Sequence, residues 1–102
     1  MARRWGRVVV SGVSMLPVLA PGDHLLVQWG RQPRPGRIVV VRRGGRLDVK
    51  RAIRVTDEAW WVEGDNGAAS TDSREYGAVP VDDILGVVHL RYRPWQHRTR
   101  LR

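Results

Sequence analysis

This 102-residue sequence predicts a small all-β domain. Short runs rich in β-branched and aromatic residues recur along the chain, and clusters of Pro and Gly separate them. No stretch is a convincing helix, and residues 82–85 are expected to form one helical turn at most. A chain of this length buries about two-thirds of its unfolded surface, enough for one modest core. We therefore expect a single domain of coiled antiparallel sheets or a partly open barrel.

Six strands are predicted, each from an apolar run bounded by turn signals. They cover residues 5–10, 24–29, 38–41, 47–55, 59–63 and 84–92. The run 38–41 is continuously apolar, which is typical of a strand buried on both faces. The domain is expected to span residues 1–94, and residues 95–102 are expected to be a basic, frayed tail.

In the predicted strand at residues 47–55, apolar side chains recur at odd-numbered positions, whereas Lys50 occupies an even-numbered position. If Leu47, Val49, Ile53 and Val55 face the core, Lys50 projects from the opposite face. A second layer of structure must then cover Lys50 if its pKa is to fall. The long polar loop at residues 64–77 is the segment whose length indicates a functional or disordered region.

Composition excludes several classes of site. The chain has no cysteine, so a disulfide framework, a thiolate nucleophile and a Cys-based zinc site are excluded. Its three histidines are scattered, and we expect neither a metal nor another cofactor. No segment reaches the roughly 18 to 20 apolar residues of a membrane-spanning helix, and the start lacks a signal peptide's apolar stretch, so a cytoplasmic location is expected.

Charge is unevenly distributed along the chain. The formal net charge is +8, and yet residues 57–83 hold eight acidic groups against Arg74 alone. The arginine-rich termini allow peripheral contact with an anionic membrane or with nucleic acid. A solvated arginine surface is the favoured interpretation, so nucleic acid is not expected as a partner.

Two residues stand out as chemistry-bearing. Lys50 is the only lysine among eighteen basic residues, which suggests a position where a titratable amine is needed and guanidinium would fail. Ser14 lies in a small-residue loop that follows the first predicted strand. A serine and a lysine that meet form a nucleophile and general base of the Ser-Lys kind.

Five short motifs then occur in order along the chain. As a set they resemble the boxes of type I signal peptidases, the S26-like Ser-Lys proteases that remove leader peptides. The resemblance covers roughly residues 8–94. The motifs are Ser14-Met15-Leu16-Pro17, Pro21-Gly22-Asp23, Pro35-Gly36-Arg37-Ile38-Val39-Val40, Lys50-Arg51-Ala52, and Gly64-Asp65-Asn66 with Ser70-Thr71-Asp72-Ser73-Arg74.

The resemblance implies a role for each matching residue. Ser14 corresponds to the nucleophile and Lys50 to the general base, while Ser70 would hydrogen-bond the lysine amine. Asp72 and Arg74 would brace the site, although they are equally well interpreted as a structural ion pair.

The resemblance also implies a backbone oxyanion site and a substrate cleft. The Ser14 N–H would hold the oxyanion, and the cleft would involve Gly12, Met15 and Val49. Gly12 stands where some members place a second oxyanion hydroxyl, and the usual preceding membrane-spanning segment is absent. Asp65 and Asn66 are expected only to satisfy backbone groups in a tight turn.

Among branches of that family, the sequence is most similar to nickel-type superoxide dismutase maturation proteases. The similar stretches are residues 22–28, 49–52 and 90–94. The implied function is removal of an amino-terminal leader peptide from the dismutase precursor, which is the expected partner. Three alternatives stay open, namely general signal peptidase activity, a self-cleaving repressor-type protease, and a catalytically silent module that binds peptide or nucleic acid.

Overall fold

The structure is a computed structural model that describes residues 4–93 and 99–101. It confirms the all-β class. Within the described residues there are eight strands, one single-turn α-helix and two 3₁₀ turns at Gly67–Ala69 and Val81–Asp83. The strands are β1 (Arg4–Val9), β2 (His24–Trp29), β3 (Ile38–Arg43), β4 (Arg46–Thr56), β5 (Ala59–Glu63), β6 (Val79–Pro80), β7 (Ile84–Arg93) and β8 (Thr99–Arg100), and the helix α1 is Ser73–Tyr76.

All strand pairs are antiparallel and belong to one sheet. The order is β1-β2-β7-β3-β4-β5-β6, and β8 pairs with β7. Register shifts interrupt the β2–β7, β3–β7 and β4–β5 ladders. Such irregularities bend and twist a sheet locally. The result is an open, bent sheet, as expected from the sequence.

Apolar side chains form a cluster on each side of the sheet. The first cluster contains Met15, Leu19, Leu25, Val27, Ile38, Val40 and Val88, and the second contains Val39, Val41, Ala52, Trp60, Val62 and Val87. Alternate residues of β3 enter different clusters because successive side chains of a strand point to opposite faces. Residues 38–41 are at most 1% exposed, which confirms the prediction of a strand buried on both faces.

The prediction of which β4 side chains face the core is partly wrong. Val49 packs against the first cluster as expected. Leu47 and Val55 are 52% and 47% exposed, because the two ends of β4 extend past the apolar clusters. A register shift between Ala52 and Arg54 also breaks the simple alternation on which the prediction depended.

Three short elements, namely β6, α1 and β8, were not predicted. β6 and α1 are two and four residues long, too short for an apolar period. The expected frayed tail is wrong for residues 99–101, because Thr99–Arg100 pairs with β7 and Leu101 is only 8% exposed within the first cluster. The rest of the predicted tail lies outside the described residues.

Candidate active site

The loop after β1 carries Ser14 and is fixed by its buried neighbours. Met15 and Leu19 are 1% and 0% exposed in the first cluster. The Leu19 N–H donates to the Met15 carbonyl at 2.9 Å, and the Val10 N–H donates to the Asp23 carbonyl at 2.9 Å. Ser14 itself is half-buried. The backbone of Ser14 is therefore held beside a packed core while its side chain reaches the surface.

The segment Gly64-Asp65-Asn66 holds this loop from the other side. The Asn66 N–H donates to the Ser14 carbonyl at 2.8 Å, and Asn66 Nδ2 donates to the Val13 carbonyl at 3.0 Å. A Cβ on Gly64 would lie 2.5 Å from the Ser14 carbonyl oxygen and would also overlap Ser70 Oγ, so only glycine fits there.

This arrangement corrects the interpretation of Asp65 and Asn66 as local turn residues. Asn66 bonds a loop more than fifty residues away in sequence. The Asp65 carboxylate accepts two hydrogen bonds of 2.8 Å from Arg51, the neighbour of Lys50. The segment thus ties the serine loop to the lysine strand. An asparagine in a turn gives no sequence signal of such a distant contact.

Lys50 lies on β4 and is 4% exposed. Its amine donates to Ser70 Oγ at 3.1 Å, and Ser70 Oγ in turn donates to Asp72 Oδ2 at 2.7 Å. Burial lowers the pKa of Lys50; Asp48 and Asp72 oppose that shift, and Arg46 and Arg74 add to it. The covering layer that the sequence required is therefore the loop that carries Ser70 and Asp72.

Asp72 is the fully buried centre of this loop. It accepts hydrogen bonds from the Gly64 N–H at 2.8 Å and from Arg74 Nη2 at 2.6 Å, in addition to Ser70. Burial alone would raise the pKa of Asp72, but the hydrogen bonds from Arg74, Ser70 and the backbone outweigh it and hold that pKa well below the ordinary carboxyl value. Asp72 also caps α1 by accepting from the Arg74 N–H.

The ionised Asp72 carboxylate sets the direction of the hydrogen bonds in this chain of groups. A serine hydroxyl has one proton, and Ser70 gives that proton to the ionised Asp72 carboxylate. Ser70 must therefore accept from Lys50. A neutral Lys50 amine held through one N–H in this way keeps its lone pair for another partner.

Ser14 and Lys50 line one cleft of about 270 Å³. Gly12, Met15 and Val49 line it as well. The serine predicted as nucleophile, the lysine predicted as base and the residues predicted for the cleft therefore lie at one site. Within the described residues the Lys50 amine bonds Ser70, and no hydrogen bond joins it to Ser14 Oγ.

The cleft lies between two unpaired strand edges. Among the described strands β1 pairs only with β2, and residues 46–50 of β4 pair only with β3, because β5 joins β4 from Arg51 onward. Residues of both free edges line the cleft. Unpaired N–H and C=O groups of this kind can pair with an added extended chain.

Two comparisons with known proteins bear on the function of this site. A family model described as Peptidase S24-like matches residues 4–88. The chain belongs to the Peptidase S24-like family. It is also 34% identical, over 123 aligned positions, to the mitochondrial ATP-independent inner membrane protease subunit 1a of Arabidopsis thaliana; that alignment covers 91% of this chain and 73% of the relative.

Membership of the Peptidase S24-like family supports a peptidase and the broader relationship to signal-peptidase-like enzymes. The S26-like and dismutase-maturation assignments are finer than this family and stay predictions. In the part of the chain that the structure describes, no helix is long and apolar enough to cross a membrane.

Proposed function

We propose that this S24-like chain is a Ser-Lys endopeptidase that removes an amino-terminal leader from a precursor protein. The observation that carries the proposal is the buried Lys50 amine, which is held by Ser70 in the cleft that Ser14 lines. Arginine cannot serve as a base there because it stays protonated, whereas a desolvated lysine can be neutral near neutral pH. The absence of a Ser14–Lys50 hydrogen bond is compatible with catalysis because such contacts often tighten only with substrate present.

In the proposed reaction, Ser14 Oγ attacks the scissile carbonyl carbon and the Lys50 lone pair takes the hydroxyl proton. The resulting ammonium then gives a proton to the leaving amine as the C–N bond breaks, which leaves an acyl-enzyme on Ser14. A water molecule, deprotonated by the neutral Lys50, then attacks the acyl carbon. The ester C–O bond breaks, the new carboxyl end is released, and the Lys50 ammonium returns the proton to Ser14 Oγ. The Ser14 N–H supplies an oxyanion donor, a type of contact worth about 10²- to 10³-fold in rate.

The free strand edges explain how the leader would bind. An extended peptide added to residues 46–50 of β4 can form backbone hydrogen bonds there, with β1 on its other side. Pairing of this kind places a peptide bond near Ser14 with little dependence on side chains. The small volume of the cleft favours small side chains beside the cut.

We further propose that the substrate is the cytoplasmic precursor of a nickel-type superoxide dismutase. The support is the branch resemblance of residues 22–28, 49–52 and 90–94. Purified enzyme is incubated with the dismutase precursor, and the new amino terminus is read by mass spectrometry. A single cut that removes the leader is expected, and Ser14→Ala should leave the precursor intact.

A second candidate is processing of membrane-targeted precursors, because the Arabidopsis relative is named an inner membrane protease subunit. The same assay includes an exported protein with its signal peptide, in detergent. Efficient cutting of that protein together with an intact dismutase precursor would replace the dismutase assignment with this second function. Absence of cutting in both would count against leader removal itself.

The pH dependence of cleavage follows from the pKa of Lys50. Because burial lowers that pKa below 10.5, kcat/KM should rise with pH and reach its plateau below the titration of a free lysine. Initial rates on a fluorogenic peptide measure this pH profile, and a rate still climbing above about pH 10 would indicate a solvated amine.

The lowered pKa of Lys50 also affects the pH dependence of stability. The unfolded chain binds more protons than the folded chain between the lowered pKa and 10.5, so this residue makes the free energy of unfolding rise with pH in that window.

A further inference from the structure

One end of the cleft is basic. Arg43 and Arg46 line it beyond Asp48 and Lys50. Residues 46, 48 and 50 share one face of β4 because they alternate along the strand, and Arg43 is the cross-strand partner of Arg46. These four ionisable side chains therefore form a row that starts at Lys50 and ends at the turn between β3 and β4.

The two arginines of this row differ in their partners. Arg46 is already paired, since its Nη2 and Nε lie 3.0 and 3.1 Å from Asp48 Oδ1. Among the described residues, no carboxylate lies within ion-pair distance of Arg43. Its guanidinium instead lies 4.0 Å from the ring centroid of Tyr76, on α1. That contact restrains the guanidinium without neutralising its charge.

From this row we infer that Arg43 is a specificity residue that selects an acidic side chain of the substrate. The inference rests on the proposed peptidase function and concerns the same cleft. A peptide strand on the free edge of β4 presents alternate side chains to the face that carries Arg43 and Lys50. An Asp or Glu there would meet the exposed guanidinium of Arg43, the arginine of the row that lacks an acidic partner among the described residues. A Lys or Arg would meet like charge.

Strand geometry places the selected residue. Lys50 is four residue steps along β4 from Arg46, and at about 3.3 Å per step this is about 13 Å. The bond to be cut lies beside Ser14 and Lys50. The selected side chain is therefore three to five residues from the scissile bond, on one side of it only.

The test uses a peptide that the wild-type enzyme cuts at one bond. A set of derivatives carries Glu, Gln or Lys at each of the five positions on either side of that bond. At one position three to five residues away, Glu should be cut about 3- to 10-fold faster than Gln in kcat/KM, and Lys more slowly. The preference should shrink as salt is raised, because the pair is exposed.

Substitutions then assign the preference to Arg43. Arg43→Gln should remove it and Arg43→Glu should invert it in favour of Lys, while an unchanged thermal unfolding midpoint reports an intact fold. Arg54→Glu is the matched control, because Arg54 also contacts an aromatic ring, Trp61 at 4.7 Å, outside the residues that line the cleft. It makes the same change in charge and should leave the preference unchanged.

The outcomes separate this inference from the proposed function. Equal cutting of the Glu, Gln and Lys peptides at every position by wild type would overturn the role of Arg43 and leave the peptidase standing. A preference that survives in Arg43→Glu, or that disappears equally in Arg54→Glu, would also overturn it. Failure of the wild type to cut any peptide in the set would overturn both.

Discussion

Ser14→Ala is expected to abolish peptide cleavage, with a loss of about 10³-fold or more in kcat, and to leave the fold intact. The variant removes the hydroxyl that forms the acyl-enzyme in the proposed mechanism. It deletes one half-buried hydroxyl that makes no hydrogen bond within the described structure. The loop keeps its shape because Met15, Leu19 and Asn66 hold its backbone. Cleavage of a fluorogenic peptide and the thermal unfolding midpoint are measured together.

Replacement of Lys50 should also abolish peptide cleavage, because it removes the proposed general base. Lys50→Arg keeps the charge but cannot offer a lone pair, so it should be as inactive as Ser14→Ala. Lys50→Met keeps the apolar stem without the amine and should fold at least as well. Thr56→Ala is the control, since Thr56 is an exposed hydroxyl at the end of β4. Turnover near the wild-type level in either Lys50 variant would exclude the Ser-Lys mechanism.

Asp72→Ala is expected to lose both stability and activity. The Gly64 N–H would lose its buried acceptor, and an unsatisfied donor of this kind costs roughly 1–3 kcal/mol; the Ser70 hydroxyl would lose the same acceptor. Ser70 would then be free to donate its proton to the Lys50 lone pair, which removes the base from use. Chemical denaturation and kcat/KM measure the two effects.

The stability lost in Asp72→Ala should depend on pH in a defined direction. The pKa of Asp72 is lowered from 3.8, so its contribution is fully present above that value and is lost as pH falls through the lowered pKa. The difference from wild type should therefore be constant at neutral pH and shrink only in strong acid. Asp83→Ala is the control, because its ion pair with Arg42 is exposed and should be worth at most about 1 kcal/mol. Equal losses in the two variants would show that Asp72 is an ordinary surface carboxylate.

The sequence was sufficient for the strands with a clear apolar period. The run at residues 38–41 and the alternation around Val49 follow directly from side-chain direction in a strand, and they place Lys50 opposite the first cluster. Elements of two to four residues, such as β6 and α1, have no period to detect. The exposed ends of β4 depend on where its neighbours stop, which is tertiary information.

The residues of the candidate site were predicted on different grounds. The single lysine among seventeen arginines marked Lys50, and the ordered motifs marked Ser14, Ser70, Asp72 and Arg74. The contacts of Asn66 with the serine loop were missed, because a turn asparagine has the same sequence signature whether its amide bonds locally or across the fold. The inferred role of Arg43 was not predicted either, because only packing decides which arginines of the cleft pair with a carboxylate.

The two apolar clusters have a consequence for how the candidate site forms. Met15 and Leu19 of the first cluster position Ser14. Lys50 lies two residues before Ala52, which belongs to the second cluster. A chain in which one cluster has not packed would not bring the proposed nucleophile to the proposed base. The candidate site is therefore a property of the fully packed domain and not of either cluster alone.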